Sequence, residues 1–183
     1  MLFLQKTTLN KKTTMINLKV QETINNQIEK EEFSSRLYLA MAIWAESNGY
    51  PGAASFLYQH ADEERMHMLK FIRYVVSRGG LVVVGDIARP EGTFKSLSDV
   101  FGKILAHEEY ITASINELYG ITIEEKDYTT GNFLQWFITE QLEEESLMST
   151  ILDKMSLVGS DKAGMFHIDK ELDGMATATL AAV

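Results

Sequence analysis

The sequence predicts an all-α fold: a bundle of four long helices, a long crossover between helices two and three, and a short fifth helix at the C-terminus. Three observations predict it. Four stretches carry apolar residues at alternating spacings of four and three, the rhythm of a helix face turned toward a core. Gly, Pro and Asn fall between those stretches and punctuate them. One connection, residues 80–95, lacks the helical rhythm and is too long for a tight turn.

Residues 1–14 are rich in Lys and Thr, hold no acidic residue and show no apolar rhythm, so they read as a loose N-terminal extension. Met15 is the expected opening of a single folded domain, residues 15–183. The first helix is expected from about Asn17 to about Ser47, with the seam Ile24, Ile28, Glu31, Ser35, Tyr38, Ala42 and Ala45. Asn48-Gly49 breaks it, and Pro51, a residue type favoured in a first turn, begins the second helix, so the two form an antiparallel hairpin. The second seam is Leu57, Ala61, Glu64, Met68, Phe71 and Val75, and the helix stops after Arg78 at Gly79-Gly80, where glycine accepts the left-handed conformation. The crossover, with Leu81 to Val84 extended and Pro90-Glu91-Gly92 turning, should run the length of the bundle and make helix three parallel to helix two. Val82 to Val84 is open to pairing with a symmetry mate. Ser96 to Asp99 supplies capping chemistry for helix three, whose seam is Leu97, Phe101, Ile104, Glu108, Ile111, Ile115 and Leu118 and whose expected end is Gly120. Helix four is expected from Asp127–Thr130 to about Val158, with the seam Leu134, Phe137, Gln141, Glu144, Met148, Ile151 and Met155. After Gly159-Ser160 a short amphipathic piece, Met165 to Leu172, should fold back on the bundle or dock in an oligomer contact.

At 183 residues, with 45% hydrophobic and 23% charged residues, the chain is sized for one domain with a real core. It contains no cysteine, which removes disulfides, thiolate zinc sites, iron–sulfur clusters and cysteine nucleophiles and fits a reducing cytoplasm. A net charge of −9 and a pI near 4.9 argue against nucleic-acid partners and favour cations. No apolar run approaches the roughly 18 residues that a membrane span requires, and no signal-peptide core is visible. Hydrolase and nucleotide readings have no foothold, because neither a Gly-rich phosphate loop nor a nucleophile motif is present.

Every seam is interrupted near its middle by Glu or Gln. Burying an ionised carboxylate costs several kcal/mol even after relaxation, and like charges in one layer repel. No Lys or Arg lies on a seam to neutralise Glu31, Glu64, Glu108 and Glu144, which leaves protonation or bound cations. His67, one turn from Glu64, offers a ligand nitrogen and favours metal. The depths along the helices place all four interruptions in one mid-bundle layer. By itself Glu64-x-x-His67 is a weak signal. Its companions strengthen it, since Glu on two helices plus Glu-x-x-His on two others is the pattern of di-iron carboxylate bundles; here Gln141-x-x-Glu144 replaces the second Glu-x-x-His. The layout predicts two adjacent ions with unequal shells: Glu31 and His67 on one, Glu108 and Glu144 on the other, Glu64 bridging, and Gln141 a weak or outer contact. Oxygen ligation with one imidazole suits iron, manganese or zinc more than copper, and spacing does not choose between iron and manganese. Glu63, Glu140 and Glu143 flank the layer, either as a solvated acidic face or as a third ion site sharing Glu144. Tyr38, two turns beyond Glu31, is either a core tyrosine or a donor of an electron or hydrogen bond. Trp136 reads as packing, His60 and His107 as off-seam, and Glu124, Glu125 and Asp127 as a solvated turn rather than a pore lining.

Three segments now resemble the bacterial non-haem ferritins: Glu31-Glu32-Phe33-Ser34-Ser35 through Tyr38, the run from His60 to His67, and Asn132-Phe133-Leu134-Gln135-Trp136 through Glu145. The resemblance extends from about Met15 to Asp173. It implies a ferritin-like di-iron domain whose ferroxidase centre is Glu31, Glu64, His67, Glu108, Gln141 and Glu144, with Glu63, Glu140, Glu143 and Glu144 as a neighbouring third iron site. It also implies iron storage in a cytoplasmic homo-oligomeric cage of twenty-four subunits, in which dioxygen or hydrogen peroxide oxidises Fe(II) and Fe(III) is kept as mineral. Haem is not expected: relative to bacterioferritin the second Glu-x-x-His is missing, and Arg65 stands where that family places its haem-ligating Met. The intrabundle site and the terminal helix set the chain apart from the twelve-subunit mini-ferritins. Two rivals are a rubrerythrin-like di-iron oxidase or peroxidase, which needs an electron partner, and a non-catalytic helical binding bundle with solvated acids.

Overall fold

The computed structural model describes residues 15–180, with side chains through Ala176; the expected loose extension, residues 1–14, lies outside the described residues. Five helices follow one another: α1 Leu18–Ser47, α2 Pro51–Ser77, α3 Leu97–Glu124, α4 Tyr128–Val158 and α5 Lys162–Leu180. No strand occurs among the described residues. Three helix starts are fixed by side-chain caps that accept otherwise unsatisfied backbone N–H groups: Asn17 from Lys19, Ser96 from Asp99 and Asp127 from Thr130. The α2 helix opens on Pro51 instead, which has no N–H to satisfy.

The crossover follows α1 from its first turns to its last. Leu81 N donates to Gln21 Oε1 and Val83 N to Asn25 Oδ1, Asp86 to Ala88 lie beside Asn26, Glu29 and Phe33, and the Phe94 ring meets Trp44 edge-on at 5.7 Å. Helix α3 therefore starts where α2 starts and runs parallel to it. At the other end Lys19 Nζ lies 3.1 Å from Glu124 Oε2, which places the start of α1 beside the end of α3.

All of the seam positions read from the sequence are buried except Ser35, which is half-buried and donates to Ala61 O at 2.6 Å, while its neighbour Ser34 is the fully buried one. The apolar interior is divided into two blocks. One contains Tyr38 to Ala45, Ala53 to Ala61, Leu97 to Ile104 and Met148 to Met155; the other contains Ile16 to Ile28, Met68 to Val75, Ile111 to Leu118 and Leu134 to Phe137. The interrupting carboxylates, His67 and Gln141 lie in the gap.

Two boundaries differ from the sequence reading. Helix α3 runs through Gly120 to Glu124 and turns at Lys126, whose φ is 56°; an exposed mid-helix glycine costs only about 1 kcal/mol, and the buried Thr122 beyond it holds the last turn. Helix α5 has 19 residues rather than the eight expected. It folds back on α2, where Asp169 Oδ1 accepts from Ala53 N at 2.8 Å and serves the start of α2 from another helix. The approach is so close that a Cβ on Gly52 would lie 1.9 Å from the Asp169 carbonyl oxygen. Gly52→Ala is accordingly expected to push α5 off and destabilise the fold by roughly 1–3 kcal/mol. Chemical denaturation measures this, and a midpoint equal to the parent would show that α5 does not need the contact.

Candidate metal centre

A carboxylate on a seam position points inward because its helix has no choice: the residues one turn before and after it are locked in the core. Glu31, Glu64, His67, Glu108, Gln141 and Glu144 are all buried in this way. The ligand atoms of Glu31, Glu64 and His67 gather within 4.8 Å of one another, with His67 Nδ1 at 3.9 Å from Glu31 Oε2 and 3.8 Å from Glu64 Oε2.

Glu108 is held differently. Tyr38 Oη donates to its Oε1 at 2.8 Å and Gln141 Nε2 to its Oε2 at 3.1 Å. Tyr38 is thus a hydrogen-bond donor within the layer, and Gln141 contacts the layer through Glu108. One half of the site is assembled around an imidazole, while the other keeps its carboxylate tied to two donors.

The layer is electrostatically strained. Burial, then the neighbouring Glu64 charge, pushes the Glu31 carboxyl well above the usual range. Burial, then Glu108 and Glu144, does the same to Glu64. Burial also raises Glu108, against the opposing hydrogen bonds from Gln141 and Tyr38. Glu144 is pushed up to about 9, chiefly by burial and then by Glu108. Tyr38 is raised well above its ordinary value by burial and by Glu108 and Glu144. Two carboxylate oxygens, Glu64 Oε2 and Glu144 Oε2, are buried without any hydrogen-bond partner. A buried acceptor left bare costs on the order of 1–3 kcal/mol, more if charged, so the donor set fits a cation. The Lys70 ammonium lies nearby over the Trp136 ring, 2.9 Å from its centre, not among the carboxylates. Trp136 itself packs edge-on against His67 at 5.3 Å.

The flanking acids divide. Glu63 and Glu140 are half-buried and share a second cluster with His67, whose Nε2 is 4.0 Å from Glu140 Oε1. Glu143 is exposed and joins neither cluster, although its charge raises Glu140 and Glu144. A third cluster contains a residue that the sequence reading set aside: His60, with Glu63 and Glu144. Its Nδ1 lies 3.0 Å from the Phe56 carbonyl. With the proton on that nitrogen, the Nε2 lone pair faces the unpartnered Glu144 Oε2 across 3.7 Å. Two acceptors facing each other call for a proton or a cation between them. Burial lowers the His60 pKa, favouring the neutral, ligand-ready ring. The signal was its place one turn before Glu64. His107, by contrast, bonds Ser34 Oγ at 2.7 Å and stands outside all three clusters.

Comparison with known proteins agrees with the helical fold. The family model described as a Ferritin-like domain matches residues 21–158. A probable bacterial non-heme ferritin-like protein of Haemophilus influenzae is 45% identical over 163 residues, covering 89% of this chain and 99% of that one. A bacterial non-heme ferritin of Campylobacter jejuni is 41% identical over 88% of this chain and 97% of its own length. Among solved structures, an open pore ferritin from Archaeoglobus fulgidus superposes with a TM-score of 0.86 at 37% identity, covering 87% of this chain and 98% of that one. Aligned nearly end to end with such relatives and matched by the family model over most of its length, the chain belongs to the ferritin family.

Proposed function

We propose that this protein stores iron and oxidises it on the way in: two Fe(II) ions bind as substrate in the mid-bundle layer, dioxygen or hydrogen peroxide takes their electrons, and Fe(III) passes on to a mineral. The carrying observation is the pair of buried, partnerless oxygens on Glu64 and Glu144, in a layer where no lysine or arginine balances the charge. The names borne by the relatives, non-heme ferritins, support the same reading.

The residues perform placement more than chemistry. Glu31, Glu64 and His67 form the half that is gathered before iron arrives, and Glu64 reaches toward both halves. Glu108, with Glu144, receives the second ion by sharing oxygens that Tyr38 and Gln141 now occupy. Carboxylates stabilise the ferric product more than the ferrous reactant and so ease electron loss. A third iron passes through Glu63, Glu140, Glu143 and Glu144, with His60 as the added nitrogen beside Glu144. The acidic chain concentrates cations at the surface. Twenty-four copies form a hollow cytoplasmic cage around the mineral, and haem plays no part.

The test is anaerobic Fe(II) titration of the purified protein, then oxygen, with particle size measured by light scattering. Two tightly bound ions per chain, a weaker third, rapid oxidation and a large hollow particle are expected. A compact oligomer that turns over peroxide only with an added electron donor would favour the rubrerythrin-like alternative. A small particle indifferent to Fe(II) would leave a non-catalytic bundle.

A further inference from the structure

A buried line of hydrogen bonds reaches the metal layer from one side, and the proposed chemistry uses none of its members. Lys30 Nζ donates to Ser114 Oγ at 2.5 Å, Ser114 Oγ donates to Gln27 Oε1 at 2.5 Å, and Gln27 Nε2 donates to Glu31 Oε1 at 2.7 Å. Gln27 and Ser114 are buried, and Lys30 is half-buried with its ammonium 5.2 Å from the centre of the Tyr110 ring.

The direction of the line is forced. An ammonium only donates, so the Ser114 hydroxyl must accept from Lys30. Its single proton is then left for the Gln27 carbonyl, and the Gln27 amide must turn its NH2 toward Glu31. Without the lysine the hydroxyl is free to rotate and the amide to flip, which would set two oxygens face to face. The line occupies Glu31 Oε1 and leaves Oε2 as the oxygen turned to His67, at 3.9 Å.

We propose that Lys30, Ser114 and Gln27 form a positioning relay that fixes Glu31 as a one-oxygen ligand and thereby sets the affinity of the ion shared with His67. This rests on the iron-binding reading above. Partners that orient a metal ligand commonly change affinity by about 10–100-fold when removed. Polarisation along a chain of hydrogen bonds strengthens each link.

The test uses the assembled full-length protein and anaerobic Fe(II) titration calorimetry on the parent, Gln27→Leu, Ser114→Ala and Ser114→Thr. In Gln27→Leu one of the two tight binding steps should weaken about tenfold, while the other step and the number of ions bound stay unchanged. Ser114→Ala should weaken the same step by a smaller factor, and Ser114→Thr, which keeps the hydroxyl, should restore it. A purely structural role would lower the melting temperature without singling out one step. Both steps unchanged, or both weakened alike, overturns the relay. If Gln27→Leu fails to fold, the Ser114 pair decides alone. A parent protein that binds no pair of Fe(II) removes the iron-binding reading and the relay together, whereas a parent that binds the pair beside indifferent variants removes only the relay.

Discussion

Glu64→Ala is expected to slow the initial oxidation of Fe(II) by about 100-fold or more, at the upper limit or beyond what loss of an orienting partner alone costs. The reason is its place. Its carboxylate is within ligand reach of His67, its charge acts on Glu31, and Glu108 and Glu144 act on it in turn, so this one carboxylate is coupled to both halves of the layer. Its helix neighbours are locked in the two apolar blocks, and the variant should keep its helices and its assembly. Removing a buried carboxylate oxygen that has no partner also relieves the metal-free protein, offsetting the small cavity left behind. The metal-free variant should therefore melt at or above the parent temperature while stopped-flow oxidation collapses. Parent-like oxidation in this variant would show that the mid-bundle layer is not where iron reacts.

The second large effect is a dependence of metal-free stability on pH. Glu144 has a folded pKa of about 9 against an ordinary 4.5, and Glu31 and Glu64 are shifted in the same direction. A carboxyl whose folded pKa is raised keeps its proton more tightly in the native state. Its contribution is fully present below the unfolded pKa and is lost as pH rises through the folded one. Half-buried His107, lowered from 6.5 to about 4, has the opposite sign and penalises the fold only in acid. His60, also lowered by burial, acts in the same sense as His107, and both effects fade above about pH 6.5 as the unfolded-state imidazole loses its proton, leaving the raised carboxyls to set the trend. Metal-free protein should then lose stability steadily between about pH 6.5 and pH 9, by an amount on the order of several kcal/mol. Binding of Fe(II) or a redox-inert divalent ion should flatten the slope and release protons near neutrality. Thermal melts across pH, with and without metal, measure the first part, and titration calorimetry in buffers of different ionisation enthalpy measures the second. A flat metal-free profile would mean that the carboxyls are relieved by some means other than a cation.

Much of the fold and part of the site are legible in the sequence because both depend on repeat geometry. A residue four or three places from a buried neighbour shares its face whatever its chemistry, so the seam that carries Ile28 and Tyr38 carries Glu31 with them. The crossover is legible from its length, and the parallel course of α2 and α3 follows from it. What escapes is whatever depends on contacts between stripes or between distant elements. His60 stands one stripe over from Glu64 and becomes significant only because α4 brings Glu144 against it. Gln27 lies off the seam and gains a role only because Ser114 of α3 meets it. Gly120 resembles a terminator in sequence, but the burial of Thr122 continues the helix. The full length of α5 is likewise set by its seat on α2, not by its own pattern. Glu143 shows the reverse case: its spacing places it beside the layer, yet its side chain faces solvent.

The division of the apolar interior into two blocks gives the molecule a waist. Each end has its own set of interlocked hydrocarbon side chains, but at mid-height the four rods meet through buried carboxyls, an imidazole and an amide joined by a few hydrogen bonds. If iron is the cargo, as proposed, it is also the fastener. On the iron-storage reading, amide hydrogen exchange in the metal-free protein is expected to be fastest at this waist, and loading with a divalent ion to slow it there.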